Sequence, residues 1–242
     1  MDHINSNHTN TNSKKAALLA AFPLTIPVLT GYLVLGAAYG ILMNSKELPI
    51  VWSLLASVFI YAGSMQFVTV TLLATGFDPI SAFLMTLAVN ARHMFYGVSM
   101  LKQYRGLGFV KPYLIFSLTD ETFSIVCSAQ VPEGINTKWF YLFISLLNQS
   151  YWITGTLIGG LLGSMISFNT KGIDFVLTAL FVVILINQWR SATNHLPAII
   201  GIASAIVCRL IFGATNFIIP SMLCILFLVT ILKSPMERSK LI

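Results

Sequence analysis

Eight apolar runs make up most of this chain, at residues 18–43, 51–75, 79–101, 112–131, 138–166, 173–189, 196–213 and 216–232. Most are ~18–25 residues long, enough for a helix to cross the ~30 Å hydrocarbon layer of a bilayer. Inside lipid every backbone N–H and C=O must find a partner within the protein, which leaves helices or a closed barrel. Continuous runs rather than alternating stretches of ~10 residues select helices. Only 9% of residues are charged and mean hydropathy is +0.82. An ordinary soluble domain carries about 25% charged residues, so this chain cannot cover a water-facing surface. The expected fold is an all-α integral membrane protein, a helical bundle of eight apolar segments. It forms one membrane domain over 16–233, between a disordered polar tail at 1–15 and a cytoplasmic tail at 234–242.

Net charge is +6. The excess sits at Lys14 and Lys15, in the loop holding Lys102, Arg105 and Lys111, at Arg190, and in the tail with Lys233, Arg238 and Lys240. Positive charge in such places orients helices in a membrane and does not call for nucleic acid. If all eight segments crossed, the 102–111 loop and Arg190 would lie opposite both tails, against the cytoplasmic bias of basic loops. Treating segments two and five as interrupted and re-entrant puts every basic cluster in the cytoplasm. The near-neutral loops with Lys46 and Glu47, Asp78, Glu133 and Lys138, and Lys171 and Asp174 then face outward. YAGSMQF (61–67) and LNQSYWITG (147–155) supply small and polar residues at the two interruptions. Irregular backbone at that depth is tolerated where it is buried in protein or lines a cavity. Segments one to three and four to six then read as a three-plus-three repeat, parallel if the interrupted segments re-enter and inverted if they span. Matching interruptions in two halves point to a transporter's binding site.

The stretch NARHMFYG (90–97) sets Asn90, Arg92 and His93 near the middle of segment three. An Arg at a helix centre costs ~2.5–3.5 kcal/mol on insertion scales, so it needs a partner or a wet cavity. Asp120 and Glu121 in segment four are the available acids. Adjacent helical residues point ~100° apart, so one acid pairs with Arg92 and the other faces elsewhere. A structural ion pair is the plainer account of Arg92; a gate or proton relay through Arg92, His93, Asp120 and Glu121 is the sharper one. His93 is a candidate proton site because imidazole titrates near neutrality. Tyr61, Ser64 and Gln66 flank Gly63, and Asn148 and Gln149 occupy segment five. Polar residues often only glue helices together. Beside a helix break they can instead bind the two charged ends of a zwitterion, the N-terminal N–H groups of a half-helix suiting a carboxylate. Met65, Phe67, Met94, Phe95 and Trp152 are candidates for an apolar wall. GTLIGGLLG (155–163) reads as a close helix contact. Cys127, Cys208 and Cys224 read as reduced, packed residues. Walker A, HExxH, GxSxG and paired CxxC motifs are absent from the sequence, so no nucleotide, metal or cofactor is expected.

FPLTIPVLTGYLVLGAAYGIL (22–42), YAGSMQF (61–67), NARHMFYG (90–97) and TDETF (119–123) together resemble the AzlC family of branched-chain amino acid exporters, in matching order over about 18–232. The resemblance implies export of Leu, Ile, Val and Met across the bacterial inner membrane, with a small AzlD-like membrane subunit. The expectation is a multi-pass secondary transporter, not an enzyme, driven by protons. Tyr61, Gly63, Ser64, Gln66, Asn90, Asn148 and Gln149 are its substrate-site candidates on the residue reading alone. Two rivals remain: an intramembrane enzyme, such as a lipid-directed transferase, using His93 and Glu121 as acid and base, and a passive amino acid channel.

Overall fold

The computed structural model describes residues 5–75, 78–165, 174–191 and 194–232. Every regular element among them is helical: α1 (Asn5–Ser45), α2 (Ile50–Phe59), α3 (Gly63–Thr75), α4 (Pro79–Met100), α5 (Lys111–Phe116, after a 3-10 turn at Gly108–Val110), α6 (Asp120–Ser128), α7 (Thr137–Met165), α8 (Asp174–Ser191), α9 (Leu196–Asn216) and α10 (Ile218–Ile231). By length and apolar character alone, Lys14–Ser45 and Leu196–Gly213 qualify as membrane spans among the described residues. The expected disordered tail is helical from Asn5. Once the apolar part of α1 has nucleated, each further residue gains a backbone hydrogen bond at little cost. Lys171 and the basic C-terminal tail lie outside the described residues.

The chain divides into two compact units, residues 1–82 with 89–177 and residues 83–88 with 178–242. In the first, α1 and α7 lie together and run the same way. Near their starts the Lys14 ammonium sits 4.3 Å from the centre of the Trp139 ring. Further along, the Thr25 and Tyr151 hydroxyls are 3.0 Å apart. Gly36 and Gly40 then face the backbone of residues 152–160, and Gly155 and Gly159 face that of residues 32–37. Both strips have small residues four apart, which lets the two backbones touch.

A buried cluster that includes Ala21, Met100, Leu114, Val126, Phe140 and Ile144 gathers the end of α4, the start of α5 and the end of α6 around the starts of α1 and α7. So α4 runs opposite to α1 and α7, and the loop with Lys102, Arg105 and Lys111 lies at the same end as Lys14. Gln103 fastens this loop, its Nε2 donating to Val126 O (2.9 Å) and Tyr141 OH (2.6 Å). At the far end Ile50 packs on Gly160 and Asn44 on Gly163. Two interrupted segments therefore leave and return to one end each: α2–α3 from the far end, α5–α6 from the basic end.

Segment two is interrupted as expected, between Phe59 and Gly63, but segment five is not: α7 is unbroken for 29 residues, about 43 Å at 1.5 Å per residue. The polar residues that suggested a break are satisfied without one. Asn148 Nδ2 donates to Thr122 Oγ1 (3.0 Å), Gln149 Nε2 donates to Val58 O (3.0 Å), and Ser150 Oγ donates back to Leu147 O (2.7 Å). The second hairpin is segment four. Residues 132–136, expected at the far end, consequently lie at the basic end. The three-plus-three scheme gives way to a hairpin-plus-helix unit used twice, α2–α3–α4 and α5–α6–α7, entered from opposite ends.

In the second unit α9 packs against α10. His195 precedes α9 and stacks on Trp189 with ring centres 4.3 Å apart. Gly213, at φ +78°, interrupts the helical dihedrals of α9. Cys127 is exposed, Cys208 buried and Cys224 half-buried, and all three are free thiols. Cys127 therefore departs from the packed position expected of it.

Candidate functional site at two facing helix breaks

The two hairpins turn toward each other. In the first, Ile60 and Tyr61 N–H both donate to Ala56 O (2.9 and 3.0 Å), closing α2. Tyr61 then takes φ +44°, a conformation that costs a non-glycine residue roughly 1–3 kcal/mol. Gly63 opens α3 against the Trp152 indole, where an added Cβ would lie 2.9 Å from a ring carbon. In the second hairpin α5 stops at Phe116. Thr119 caps α6, its Oγ1 accepting from Thr122 N–H (3.2 Å), and Asp120 and Glu121 fill the first turn. Acids are favoured there because the helix N-terminus carries partial positive charge. The Tyr61 and Phe116 rings lie 6.4 Å apart, so the breaks meet.

Arg92 of α4 holds both half-helix starts. Its Nη1 lies 2.9 Å from Asp120 Oδ2 and its Nη2 donates to Ser64 Oγ at 3.3 Å. One turn on, Tyr96 OH donates to Asp120 Oδ1 (2.8 Å), while its ring stacks on Phe123 at 4.3 Å. Asp120 is therefore the acid that meets Arg92. Glu121 turns to α1 and accepts from Tyr32 OH at 2.7 Å. Among the described residues no cation forms an ion pair with it. The Arg92 and Asp120 side chains remain 23% and 26% exposed, so the pair sits at the edge of the packed region.

Gln66 and Asn148 are completely buried. Gln66 Nε2 donates to Ser57 Oγ (3.1 Å), which lies 3.0 Å from Thr156 Oγ1. Yet Gln66 Oε1, Asn148 Oδ1 and the Trp152 indole nitrogen have no hydrogen-bond partner in the protein. Asn148 and Trp152 are four residues apart on α7 and so share a face; Gln66 lies on the first turn of α3, which starts at Trp152. Two acceptors and one donor, all buried, are thus left unpaired on the first turn of α3 and on the face of α7 beside it. A buried polar atom left unpaired costs about 1–3 kcal/mol. The surrounding wall is aromatic: Tyr39 stacks on Trp152 (6.3 Å), Tyr32 meets Trp152 edge-on (5.4 Å), and Phe67 meets Tyr39 (5.7 Å).

Other candidates fall elsewhere. Gln149 is engaged at both ends, donating to Val58 O and accepting from Tyr113 OH (2.7 Å), and so closes the exposed end of α2. Asn90 Oδ1 is buried and unpaired on α4. His93 lies edge-on to Tyr96 (5.7 Å), and among the described residues no hydrogen bond joins it to Glu121. Met65, Phe67 and Trp152 are buried as expected of a wall, but Met94 and Phe95 are 61% and 66% exposed and line nothing. Sequence reasoning passed over Tyr32, Thr119 and Thr122. Thr119 carried a signal, since a Thr followed by two acids marks a helix start. Tyr32 carried none, being one aromatic residue in a long apolar helix.

The profile of the AzlC protein family matches residues 27–166. A Bacillus subtilis protein named branched-chain amino acid transport protein AzlC is 46% identical, with 98% of this chain and 96% of that protein covered. A Helicobacter pylori uncharacterized membrane protein is 40% identical over 90% and 95% of the two chains. The Escherichia coli inner membrane protein YgaZ is 29% identical over 81% and 80%. No solved structure matches.

Proposed function

Because the chain belongs to the AzlC family, we propose that it is a secondary transporter exporting Leu, Ile, Val and Met across the bacterial inner membrane, coupled to protons and working with a small AzlD-like subunit. The observation that carries this reading is the set of unpaired buried atoms at the facing breaks. Gln66 Oε1 and Asn148 Oδ1 suit an α-ammonium, which only donates. Trp152 N–H and the first N–H groups of α3 suit an α-carboxylate. Met65, Phe67, Tyr32 and Tyr39 offer an apolar, aromatic wall for the side chain. Irregular backbone at the breaks is buried in protein, the condition under which it survives at membrane depth. Arg92 with Asp120 ties the two half-helices and is the gate of this reading; a static lock is the competing role. The test is uptake of labelled leucine into inverted membrane vesicles, with and without an imposed proton gradient and a co-expressed small subunit. Uptake above the equilibrium level when the gradient is present supports a coupled exporter. Flux that never runs uphill makes the protein a channel.

Selectivity follows from the wall. A pocket gains only ~1–3 kcal/mol per methylene, so Leu, Ile, Val and Met will compete with one another within about two orders of magnitude. Lysine, whose second ammonium would enter the wall unpaired, will compete far more weakly. Transport of lysine at the leucine rate would remove this account of the site.

Topology gives an independent check. With the basic end in the cytoplasm, cysteines placed at Gly106 and Glu133 will react with an impermeant reagent from the cytoplasmic side. Cysteines at Ser45 and Asp78 will react from outside. The background lacks Cys127, Cys208 and Cys224. Labelling of Glu133→Cys from outside would mean that α5–α6 crosses instead of returning.

A further inference from the structure

The facing breaks hold an acid that no cation answers. Glu121, in the first turn of α6, accepts from Tyr32 OH at 2.7 Å, while the guanidinium of Arg92 goes to its neighbour Asp120. Glu121 is half-buried, so it is enclosed without being sealed. Two neutral acceptors belong to the same cluster. The Tyr61 hydroxyl faces Tyr32, Thr122 and Glu121, and it is buried without a hydrogen-bond partner. Asn148 Oδ1 is likewise buried and unpaired, on the amide whose Nδ2 donates to Thr122 Oγ1 at 3.0 Å. We propose that the substrate's α-ammonium binds among Glu121, Tyr61 OH and Asn148 Oδ1, with Glu121 as its counter-charge, so that a proton and an amino acid compete for one carboxylate. This rests on the transport reading above and adds to it the means of coupling.

An ammonium has three N–H donors and no acceptor, and a carboxylate, a phenol oxygen and an amide oxygen can take all three. Amide and phenol oxygens alone would leave its charge uncompensated, and a charge drawn out of water without a partner is costly. Glu121 removes that cost and is subject to it. With no cation among its neighbours, its carboxylate binds either a proton or the ammonium. Both use the same oxygens, so one leaves as the other enters. The departing proton goes to water on the side that the site faces, and the amino acid enters as a zwitterion. Its carboxylate is met by Trp152 N–H and the start of α3, as above. The empty, protonated site and the loaded site each lack a stranded charge at Glu121, and one proton is exchanged for one amino acid.

The titratable groups around Glu121 are Tyr32 from α1, Tyr61 from the first break, Tyr96 from α4 and Asp120 beside it on α6. Tyr113 of α5 borders Tyr61. The phenols are neutral at physiological pH, and Asp120 is held by Arg92. His93 faces Arg92 and Asp120. From α7 comes Asn148, which does not titrate. Glu121 is therefore the carboxylate of this cluster left to exchange a proton for an ammonium.

The experiment is leucine counterflow in membrane vesicles, with the small subunit co-expressed and the same pH on both sides. The readout is the half-saturating leucine concentration in neutral against mildly acidic buffer; leucine keeps its ammonium in both. Wild-type half-saturation should rise in acid toward a limit of ~10-fold per pH unit, the slope for one proton displaced by one ligand. Glu121→Gln keeps an acceptor for Tyr32 but has no charge to offer. It should raise half-saturation at least ~10-fold in neutral buffer, a modest figure for losing a desolvated charge partner, and should abolish the acid rise. A Glu121 that relays protons away from the substrate predicts wild-type half-saturation in this variant. Tyr61→Phe deletes a hydroxyl that has no partner in the protein, so a structural role predicts no change. Here it should raise half-saturation ~3-fold or more, the effect of one neutral hydrogen bond, and keep the acid rise. If Glu121→Gln does not accumulate, Tyr61→Phe and the wild-type pH series carry the test. A wild-type ratio near one, or wild-type half-saturation in Glu121→Gln or Tyr61→Phe, overturns the inference while leaving transport intact. Absence of leucine counterflow in wild type at either pH instead rejects the transport reading beneath it.

Discussion

Gly159→Leu will abolish accumulation of the folded protein, and Gly159→Ala will lower it severely. A Cβ on Gly159 would fall inside the backbone of Ala37, 2.5 Å from its Cα, and one on Gly155 would lie 2.7 Å from Tyr32 O. Overfilling an ordinary core costs ~1–3 kcal/mol because side chains shift aside. Here the obstacle is backbone on a 29-residue helix, so the helices must part along their length. Parting them also undoes the site, since Tyr32 on α1 and Asn148 and Trp152 on α7 belong to the two helices of this contact. Gly31→Ala is the matched control: it lies on the same helix α1, has nothing within 4 Å, and should be neutral or slightly stabilising. Fluorescence-detected size exclusion of tagged variants measures the outcome. A monodisperse Gly159→Leu protein at wild-type yield would show that α1 and α7 do not touch in the membrane as they do in this structure.

Apolar run length was enough to read an all-helical chain, because lipid-compatible segments admit few alternatives. The break in segment two was legible for a related reason: Gly63 and Ser64 at the middle of an apolar run invite a helix start, and no neighbour in sequence explains Gln66. Segment five misled because Asn148, Gln149 and Ser150 look like a break when read alone. Their partners, Thr122, Val58 and the preceding turn, are distant in sequence or hidden in local geometry. Segment four hid its break behind its charges. Asp120 and Glu121 drew attention as partners for Arg92, and their second property, that acids after a Thr begin a helix, passed unnoticed. Basic-loop bias asked for two interrupted segments, and two broken helices occur among the described residues, α2–α3 and α5–α6; charge alone could not say which two. Tyr32, the partner of Glu121, could be found only from the folded structure.

Arg92→Ala will remove gradient-driven leucine export and reduce the folded yield. The guanidinium is the common partner of Asp120 on α6 and Ser64 on α3, so its loss releases both half-helices at once. Removing one member of a fully buried ion pair costs ~3–5 kcal/mol by stranding the other. The 23% and 26% exposure of Arg92 and Asp120 places this pair below that range, large enough to depress yield without eliminating it. Asp120→Asn should act similarly, although Tyr96 OH keeps an acceptor in the amide oxygen. The informative protein carries both neutral changes, Arg92→Gln with Asp120→Asn. Neither charge is then stranded, and yield should recover toward wild type. Export should not recover, because a gate needs the charges to part and rejoin as the half-helices move, whereas a neutral pair holds or releases them independently of the cycle. A lock of purely structural value predicts that yield and export return together. Expression and gradient-driven export, measured on the same vesicles for the two single variants and the double, separate these cases. Full export by the doubly neutral protein would reduce Arg92 and Asp120 to packing and leave Glu121, held by Tyr32, as the remaining acid of the site.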